Sequence, residues 1–322
     1  MKKILVTGGC GFIGSNFIRY VINNAQDYNI INLDALTYAG NLSNLKDIQT
    51  QNYKFIHGSI EDEDIVKAAL ADDVSTVVHF AAESHVDRSI GNAEAFLNTN
   101  IVGLEVLLRV SKSCGIQRFI HISTDEVYGS FETTEGLFKE GDILLPNSPY
   151  SASKAAADML IHAYTKTYNF PAIIVRPSNN YGPYQYPEKF IPLMVTNLIT
   201  NATVPLYGRG QNIRDWLFVE DNCRAVFTVM EEGRLGEIYN VGGGNEVKNL
   251  DLVHMVLNIM GKDSSYIKYV QDRLGHDFRY GLDCTKVHKE LGWRPTVSFM
   301  EGLERTIAWY KENEWWWRQL KK

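Results

Sequence analysis

Cysteine is scarce in this 322-residue chain. Cys10, Cys114, Cys223 and Cys284 stand far apart, and no two form a Cys-x-x-Cys pair. That spacing indicates neither a zinc site nor a disulfide framework, and no metal is expected. No apolar run approaches the length of a membrane span, and there are no repeats or low-complexity segments. Positive charge is not in excess either: 32 Lys and Arg face 38 Asp and Glu, a formal charge of −6. Nothing in that balance draws the chain to nucleic acid or to an anionic membrane, so a phosphate site has to be built locally. Met1-Lys2-Lys3 runs straight into a strand-like segment without a signal-type apolar region. The expectation is a cytoplasmic protein with free thiols.

What is present is the balance of a globular protein, 45% apolar and 22% charged residues. The length accommodates a large core and predicts two closely joined domains. Strand-like runs at Lys3–Thr7, Asn29–Leu33, Lys54–His57, Thr76–Phe80, Arg118–Ser123 and Ala172–Arg176 alternate with helical runs, among them 94–113 and 151–169. This alternation predicts an α/β fold, a Rossmann-like doubly wound parallel sheet with a smaller C-terminal substrate-binding domain. The expected division is 1–178 for the first domain, with a return at about 213–241, and 179–322 mainly for the second. His79 and His121 fall inside apolar runs and read as core or strand-end residues.

The first strand enters Gly8-Gly9-Cys10-Gly11-Phe12-Ile13-Gly14 and then a helical run. Gly9, Gly11 and Gly14 satisfy G-x-G-x-x-G; Gly8, Gly11 and Gly14 satisfy the wider G-x-x-G-x-x-G. Between strand and helix, such glycines permit a tight turn, close approach to a pyrophosphate and close packing. Asp34 ends the second strand. An acid there accepts ribose hydroxyls and repels a 2′-phosphate, which favours NAD over NADP. Ala81-Ala82-Glu83-Ser84 follow the fourth strand, at the edge where such sheets bind ligands. Glu83, Ser84 and Asp87 read equally as substrate ligands or as caps for a helix at about 92–98.

Two further stretches carry chemistry. Tyr150 and Lys154 are four apart after Ser148-Pro149, so a helix starting there puts both on one face. An ammonium beside a phenol favours phenolate, which takes a proton from a hydroxyl as hydride leaves the same carbon. Thr124-Asp125-Glu126 adds two adjacent carboxylates. Alcohol oxidation alone has no need of them; removal of a carbon-bound proton with expulsion of water needs one as base and one as acid. Asn179 to Pro187 is rich in aromatics and amides and reads as a sugar-binding loop or as an ordinary one; Asp272 to Asp277 is a second polar turn. The C-terminus, through Trp315-Trp316-Trp317, reads as one amphipathic helix whose three tryptophans cannot all face one core.

Together these motifs resemble the extended short-chain dehydrogenase/reductases and, within them, the nucleotide-sugar 4,6-dehydratases, over essentially the whole chain. Thr-Asp-Glu is the specific part, since related epimerases usually lack the Asp-Glu pair. The resemblance implies an NAD-dependent hydro-lyase of deoxysugar biosynthesis acting on a nucleotide-linked glucose, with dTDP-glucose preferred. The alternatives are a UDP-glucose or UDP-N-acetylglucosamine 4,6-dehydratase, a 4-epimerase, and a non-catalytic NAD sensor. It implies Thr124, Asp125, Glu126, Tyr150 and Lys154 as catalytic. NAD is expected against Gly8, Gly11, Phe12, Ile13, Gly14, Asp34, Ala35, Leu36 and Thr37. Ser59 and Ile60 flank adenine; Phe80, Ala81, Ala82, Glu83, Ser84 and Thr99 line the cofactor, and Asn180 meets the nicotinamide. The nucleotide sugar is expected at Ser84, Thr124, Asn179, Lys189, Phe190, Pro205, Leu206, Tyr207, Arg214 and Asn249, and along Asp272, Arg273, Leu274, Gly275 and His276. Two positions depart from the family pattern: Ser59 replaces a common Asp, and Leu274 a usual Pro. A homodimer through a four-helix bundle, built from 94–113 and 151–169 of each copy, is also implied.

Overall fold

A computed structural model describes residues 1–71 and 73–321. Among these residues the strands are β1 (Lys2–Thr7), β2 (Tyr28–Asp34), β3 (Tyr53–His57), β4 (Thr76–His79), β5 (Arg118–Ile122) and β6 (Ala172–Pro177), followed by β7 (Asn179–Tyr181), β8 (Val204–Tyr207), β9 (Ile213–Phe218), β10 (Ile238–Val241), β11 (Glu246–Lys248) and β12 (Ile267–Val270). Seven of them form one parallel sheet in the order β10-β6-β5-β4-β1-β2-β3. The chain order reverses between β1 and β4, and the carboxyl ends there form the crevice where open α/β sheets bind ligands. The fold is therefore the doubly wound α/β architecture that the alternation predicts.

The strands are apolar on both faces because helices cover both. Ile4, Val6, Ile30, Val78 and Ile120 pack one way, toward the helices Phe12–Asn24 and Val219–Glu232. Leu5, Leu33, Val77, Phe119 and Ile174 pack the other way, toward Glu63–Leu70, Leu104–Ser113 and Pro149–Tyr168. A third core, with Trp216, Leu252, Leu303 and Trp317, fills the C-terminal part around two small sheets, β11-β9-β7 and β12-β8.

The expected helix over 94–113 is interrupted. A short helix, Glu94–Leu97, passes through a π-helical turn at Asn98–Gly103 before Leu104–Ser113. The cause is Asn100. Its Oδ1 accepts from Glu83 N at 2.9 Å, and its Nδ2 donates to Glu83 O at 3.0 Å and to Ser153 Oγ at 2.9 Å. Tying one helical residue to both backbone groups of a neighbouring loop widens the turn, as happens beside functional sites. The helix expected at about 92–98 is likewise split: Val86–Gly91 starts after His85, which accepts from Arg88 N, and Asn92 accepts from Glu94 N ahead of Glu94–Leu97. The single final helix breaks at Asn313, giving Phe299–Glu312 and Glu314–Trp317. The break sends Trp316 and Trp317 inward and leaves Trp315 44% exposed.

Candidate active site

Two cavities meet at the carboxyl ends of the parallel strands. The first is lined by Gly8, Gly11, Phe12, Ile13, Gly14, Asp34, Ala35, Thr37, Ser59, Ile60, Phe80, Ala81, Ala82, Glu83, Ser84, Thr99, Tyr150 and Lys154. These are all but two of the residues expected at the cofactor. Gly8 has φ +71°, and a Cβ there would lie 2.5 Å from Ala81 N; one on Gly14 would lie 2.3 Å from Gly8 O. The loop can therefore pack onto strand and helix only without side chains at these positions. Gly9 faces Asn32 instead, so the wider-spaced triplet is the one at the cavity. Asp34 accepts from Cys10 N and from Leu36 N, one on each oxygen and both at 2.8 Å.

The exceptions are Leu36 and Asn180. The Leu36 side chain packs against the core under β1 and β2, not in the cavity wall. Its φ of +52° follows from the turn that brings its N–H to Asp34, and it directs the side chain inward. Asn180 lines the second cavity, because β7 leaves β6 toward the C-terminal part.

That second cavity takes in Ser84, Asn179, Lys189, Phe190, Pro205, Leu206, Tyr207, Arg214, Asn249, Arg273, Gly275 and His276, together with Glu126. Asp272 and Leu274 are not in its wall. Asp272 Oδ1 accepts from His276 Nδ1 at 2.6 Å and from Arg273 N at 2.8 Å, holding the turn together, and Leu274 is 77% exposed at its tip. Arg273 reaches across to Asp87, Nε to Oδ1 at 2.7 Å, so of the two readings for Asp87 the helix cap is not the one formed. Ser84, Gln185 and Lys189 border both cavities. Lys189 Nζ donates to Ser84 O at 2.8 Å, and burial pushes its pKa down.

Between the cavities lies the titratable cluster. A short 3-10 turn, Asp125–Tyr128, follows β5 and begins at Thr124, whose Oγ1 accepts from Glu126 N. Asp125 is buried; Thr124 Oγ1 donates to its Oδ1 at 3.2 Å, while Oδ2 has no partner. Neither Thr124 nor Asp125 forms part of either cavity wall; they stand immediately behind it. Burial holds the Asp125 carboxyl well above the usual carboxylate range, and Glu126 and Asp215 push it the same way. Burial also raises Glu126, with Arg214 opposing. The Arg214 guanidinium lies 4.4 Å over the Tyr280 ring, with Nη2 donating to Asp277 O at 2.9 Å.

Tyr150 and Lys154 share the helix Pro149–Tyr168, which starts with a reciprocal Ser148–Ser151 capping box and Pro149 in its first turn. The expected phenolate is not what this arrangement favours. Burial and the negative charge of Glu126 raise Tyr150, opposed by a hydrogen bond with Thr124. Lys154 instead donates to Ile122 O at 2.7 Å, and burial lowers it to about 8. The ammonium is thus directed to the end of β5.

Behind it, His121 lies 3.5 Å from Lys154 Nζ and stacks on His79 at 5.3 Å. His79 is paired with Thr7 Oγ1, and burial lowers both imidazoles, so these are the core histidines expected. One helical turn beyond Lys154, Asp158 accepts from Arg176 Nε at 2.8 Å, and Arg176 also donates to Tyr128 Oη at 2.7 Å. Removing one partner of so buried an ion pair costs about 3–5 kcal/mol, because the other charge stays buried alone. Arg176→Met is therefore expected to lower the denaturant midpoint of unfolding sharply. A midpoint close to the parent's would show that the pair is not buried as described.

Not assigned to a site from the sequence are Tyr38 and Trp316 in the first wall and Glu188 and Tyr280 in the second, while Gln185, Tyr186 and Asp277 fall in stretches singled out only as a whole. The aromatic stretch at 179–187 covers Gln185 and Tyr186, and the polar turn at 272–277 covers Asp277. Tyr38, Trp316 and Tyr280 arrive from other segments with nothing local to mark them.

The chain is similar to known proteins over nearly its whole length. The family model for GDP-mannose 4,6 dehydratase matches residues 5–306. A dTDP-glucose 4,6-dehydratase of Streptomyces niveus is 48% identical over 99% of this chain and 96% of that one. The low-salt glycan biosynthesis protein Agl12 of Haloferax volcanii is 48% identical over 95% and 98%. The crystal structure of DesIV, a dTDP-glucose 4,6-dehydratase from Streptomyces venezuelae solved with NAD bound, superposes with a TM-score of 0.96 at 49% identity, covering 99% of each chain. The chain belongs to the nucleotide-sugar 4,6-dehydratase family that this model describes, the family its Thr-Asp-Glu and Tyr-x-x-x-Lys motifs resemble.

Proposed function

We propose that the protein is an NAD-dependent hydro-lyase that converts dTDP-glucose to the dTDP-linked 4-keto-6-deoxy sugar. The observation that carries this reading is the pair of buried Asp125 and half-buried Glu126 near Tyr150, between a cavity lined by the glycine turn and Asp34 and one lined by Lys189, Arg214 and Arg273. The names of the similar dehydratases supply the base and the sugar.

The first cavity fits the cofactor. The helix Phe12–Asn24 has no side-chain cap and no acid in its first turn, leaving its N–H groups for a pyrophosphate. Each Asp34 oxygen takes one backbone N–H and keeps a lone pair for a ribose hydroxyl. NAD, when bound, supplies reversible hydride transfer, and its positive charge opposes the field of Glu126 at the phenol. Arg214, Arg273 and Lys189 neutralise the nucleotide diphosphate.

Tyr150 accepts the proton of the C4 hydroxyl as that carbon is oxidised, and Thr124 holds the phenol in place. The ketone acidifies C5–H, which is why oxidation comes first. Glu126 removes the C5 proton, and Asp125 delivers its proton to the departing C6 hydroxyl. After reduction at C6, Glu126 returns a proton to C5 and the C4 ketone is retained; Tyr150 then releases its proton and Asp125 takes one up, so every group ends in its starting state. The cofactor ends as it began, and one water is lost.

The reading requires Asp125 protonated and Glu126 ionised. Water loss is therefore expected to trace a bell in pH, falling on the acid side as Glu126 protonates and on the alkaline side as Asp125 ionises. A kcat that keeps rising through the alkaline range would contradict the assignment of Asp125. The test of the function itself is mass spectrometry with NAD and, separately, dTDP-glucose, UDP-glucose and UDP-N-acetylglucosamine. Loss of one water from dTDP-glucose alone, without net NADH, is the expected result. Loss from a UDP-sugar would overturn the substrate; isomer interconversion without loss would overturn the chemistry.

The same proposal includes two domains, 1–178 with a return at about 213–241, and 179–322 mainly. In its support, Val219–Glu232 and β10 pack with the large sheet, although β9 itself pairs in a small one. It also includes a homodimer through the segments 94–113 and 151–169, where Leu97, Val102 and Met159 are exposed. A cytoplasmic location is consistent with free cysteines, and no helix among the described residues is long and apolar enough to cross a membrane.

A further inference from the structure

The tryptophans near the C-terminus take no part in the chemistry above, yet one of them reaches the cofactor cavity. Trp316 is buried and forms part of the first cavity's wall. Its Nε1 donates to Asn44 Oδ1 at 2.8 Å. Asn44 Nδ2 donates to Cys10 O at 2.8 Å, and Cys10 N donates to Asp34 Oδ2 at 2.8 Å. Three successive hydrogen bonds thus join residue 316 to the acid assigned to the ribose. Asn44 and Cys10 are buried too, so breaking one of these bonds strands a donor away from water.

A second grip acts on the part of the wall formed by Tyr184, Gln185 and Tyr186. The Tyr184 ring packs on Trp309 at 4.6 Å and on Trp316 at 5.9 Å. Arg19 stacks on the same ring at 4.7 Å and donates to Asn44 O, tying the two grips together. Tyr310 Oη donates to Gln185 O. Residues 184–186 are a loop segment, the part of a fold that opens most readily, and its hold on the Asn44 side passes through the last helical turns of the chain.

We propose that the C-terminal segment Trp309–Trp316 is a clamp that retains NAD between the oxidation and reduction halves of the reaction. The inference rests on the NAD-dependent reading above. The chemistry gives the clamp its purpose: the cofactor reduced at C4 has to deliver its hydride back at C6, so its escape leaves a stranded keto intermediate. Trp316 and Tyr310 are positioning residues here, acting through Asn44 and Gln185.

Trp316→Phe keeps a ring in place and deletes Nε1–H; Tyr310→Phe deletes only the hydroxyl of the second grip. Bound NAD is measured in the purified proteins, and its release is timed after dilution into excess fluorescent NAD analogue. Either variant is expected to release NAD about tenfold faster, equivalent to ~1.4 kcal/mol. Multiple turnovers should then fail on dilution and recover with added NAD. Melting of the NAD-stripped proteins separates a structural role. Release at the parental rate, whether or not melting drops, overturns the clamp. A parent that neither carries nor binds NAD overturns the underlying reading instead, a result no variant could mimic.

Discussion

Glu126→Gln is expected to reduce water loss by ~10²–10⁴-fold, the usual worth of a positioned general base, while C4 oxidation persists. The amide fills the same space but takes no proton from C5. Substrate should therefore still produce a transient absorbance of reduced cofactor, and the C5 hydrogen should cease to exchange with solvent. Asp125→Asn is expected to stop the same step from the other side, because no acid reaches the leaving hydroxyl. It carries a second signature. The Asp125 pKa is raised in the folded protein, so the fold holds a proton that the unfolded chain releases, and stability falls as pH rises from the ordinary carboxylate range toward the raised value. Above that value the charged group stays buried. Asn never ionises, so Asp125→Asn should unfold at a higher temperature than the parent at neutral and alkaline pH, with the gap closing as pH falls. A variant less active yet more stable marks a carboxyl kept for chemistry. Normal turnover in either variant would remove the pair from the mechanism.

Tyr150→Phe is the second large effect, and it stops the reaction earlier. Without the phenol no group accepts the C4 proton, and oxidation is expected to fall by ~10²–10⁴-fold. No ketone means no acidified C5, so reduced-cofactor absorbance, C5 exchange and water loss should disappear together. That pattern separates it from Glu126→Gln, which keeps the first signal. Retained C5 exchange in Tyr150→Phe would show that another group takes the C4 proton. Lys154 is not the natural substitute, since its ammonium is bound to Ile122 O.

The protonation of that phenol shows where sequence reasoning reached its limit. Tyr150 and Lys154 on one helical face follow from four-residue spacing and from the Ser148–Ser151 box, both local. Which charge governs the phenol is not local. Glu126 arrives from the end of β5 and raises it, while the lysine, one turn on, turns to a strand carbonyl. The interrupted helix at 98–103 has the same origin: its own residues suit a continuous helix, and Asn100 gives way to Glu83, seventeen positions earlier. Leu36 stands out of the cavity wall for a local reason, a positive φ that strand periodicity does not reveal.

By itself the sequence determined the alternation of strands and helices, the glycine turn, the acid at the end of β2, and the Thr-Asp-Glu and Tyr-x-x-x-Lys groups with the family they indicate. Each depends on residues within a turn or two of one another, where spacing dictates geometry. Only the tertiary structure decided that Asn180 lies with the second cavity, that Asp272 and Leu274 stay out of it, and that Trp316 closes the first. It also decided that Asp125 is buried within the field of two other carboxylates, Glu126 and Asp215. Those outcomes turn on burial and on contacts between segments as far apart as residues 44 and 316, which no local pattern encodes.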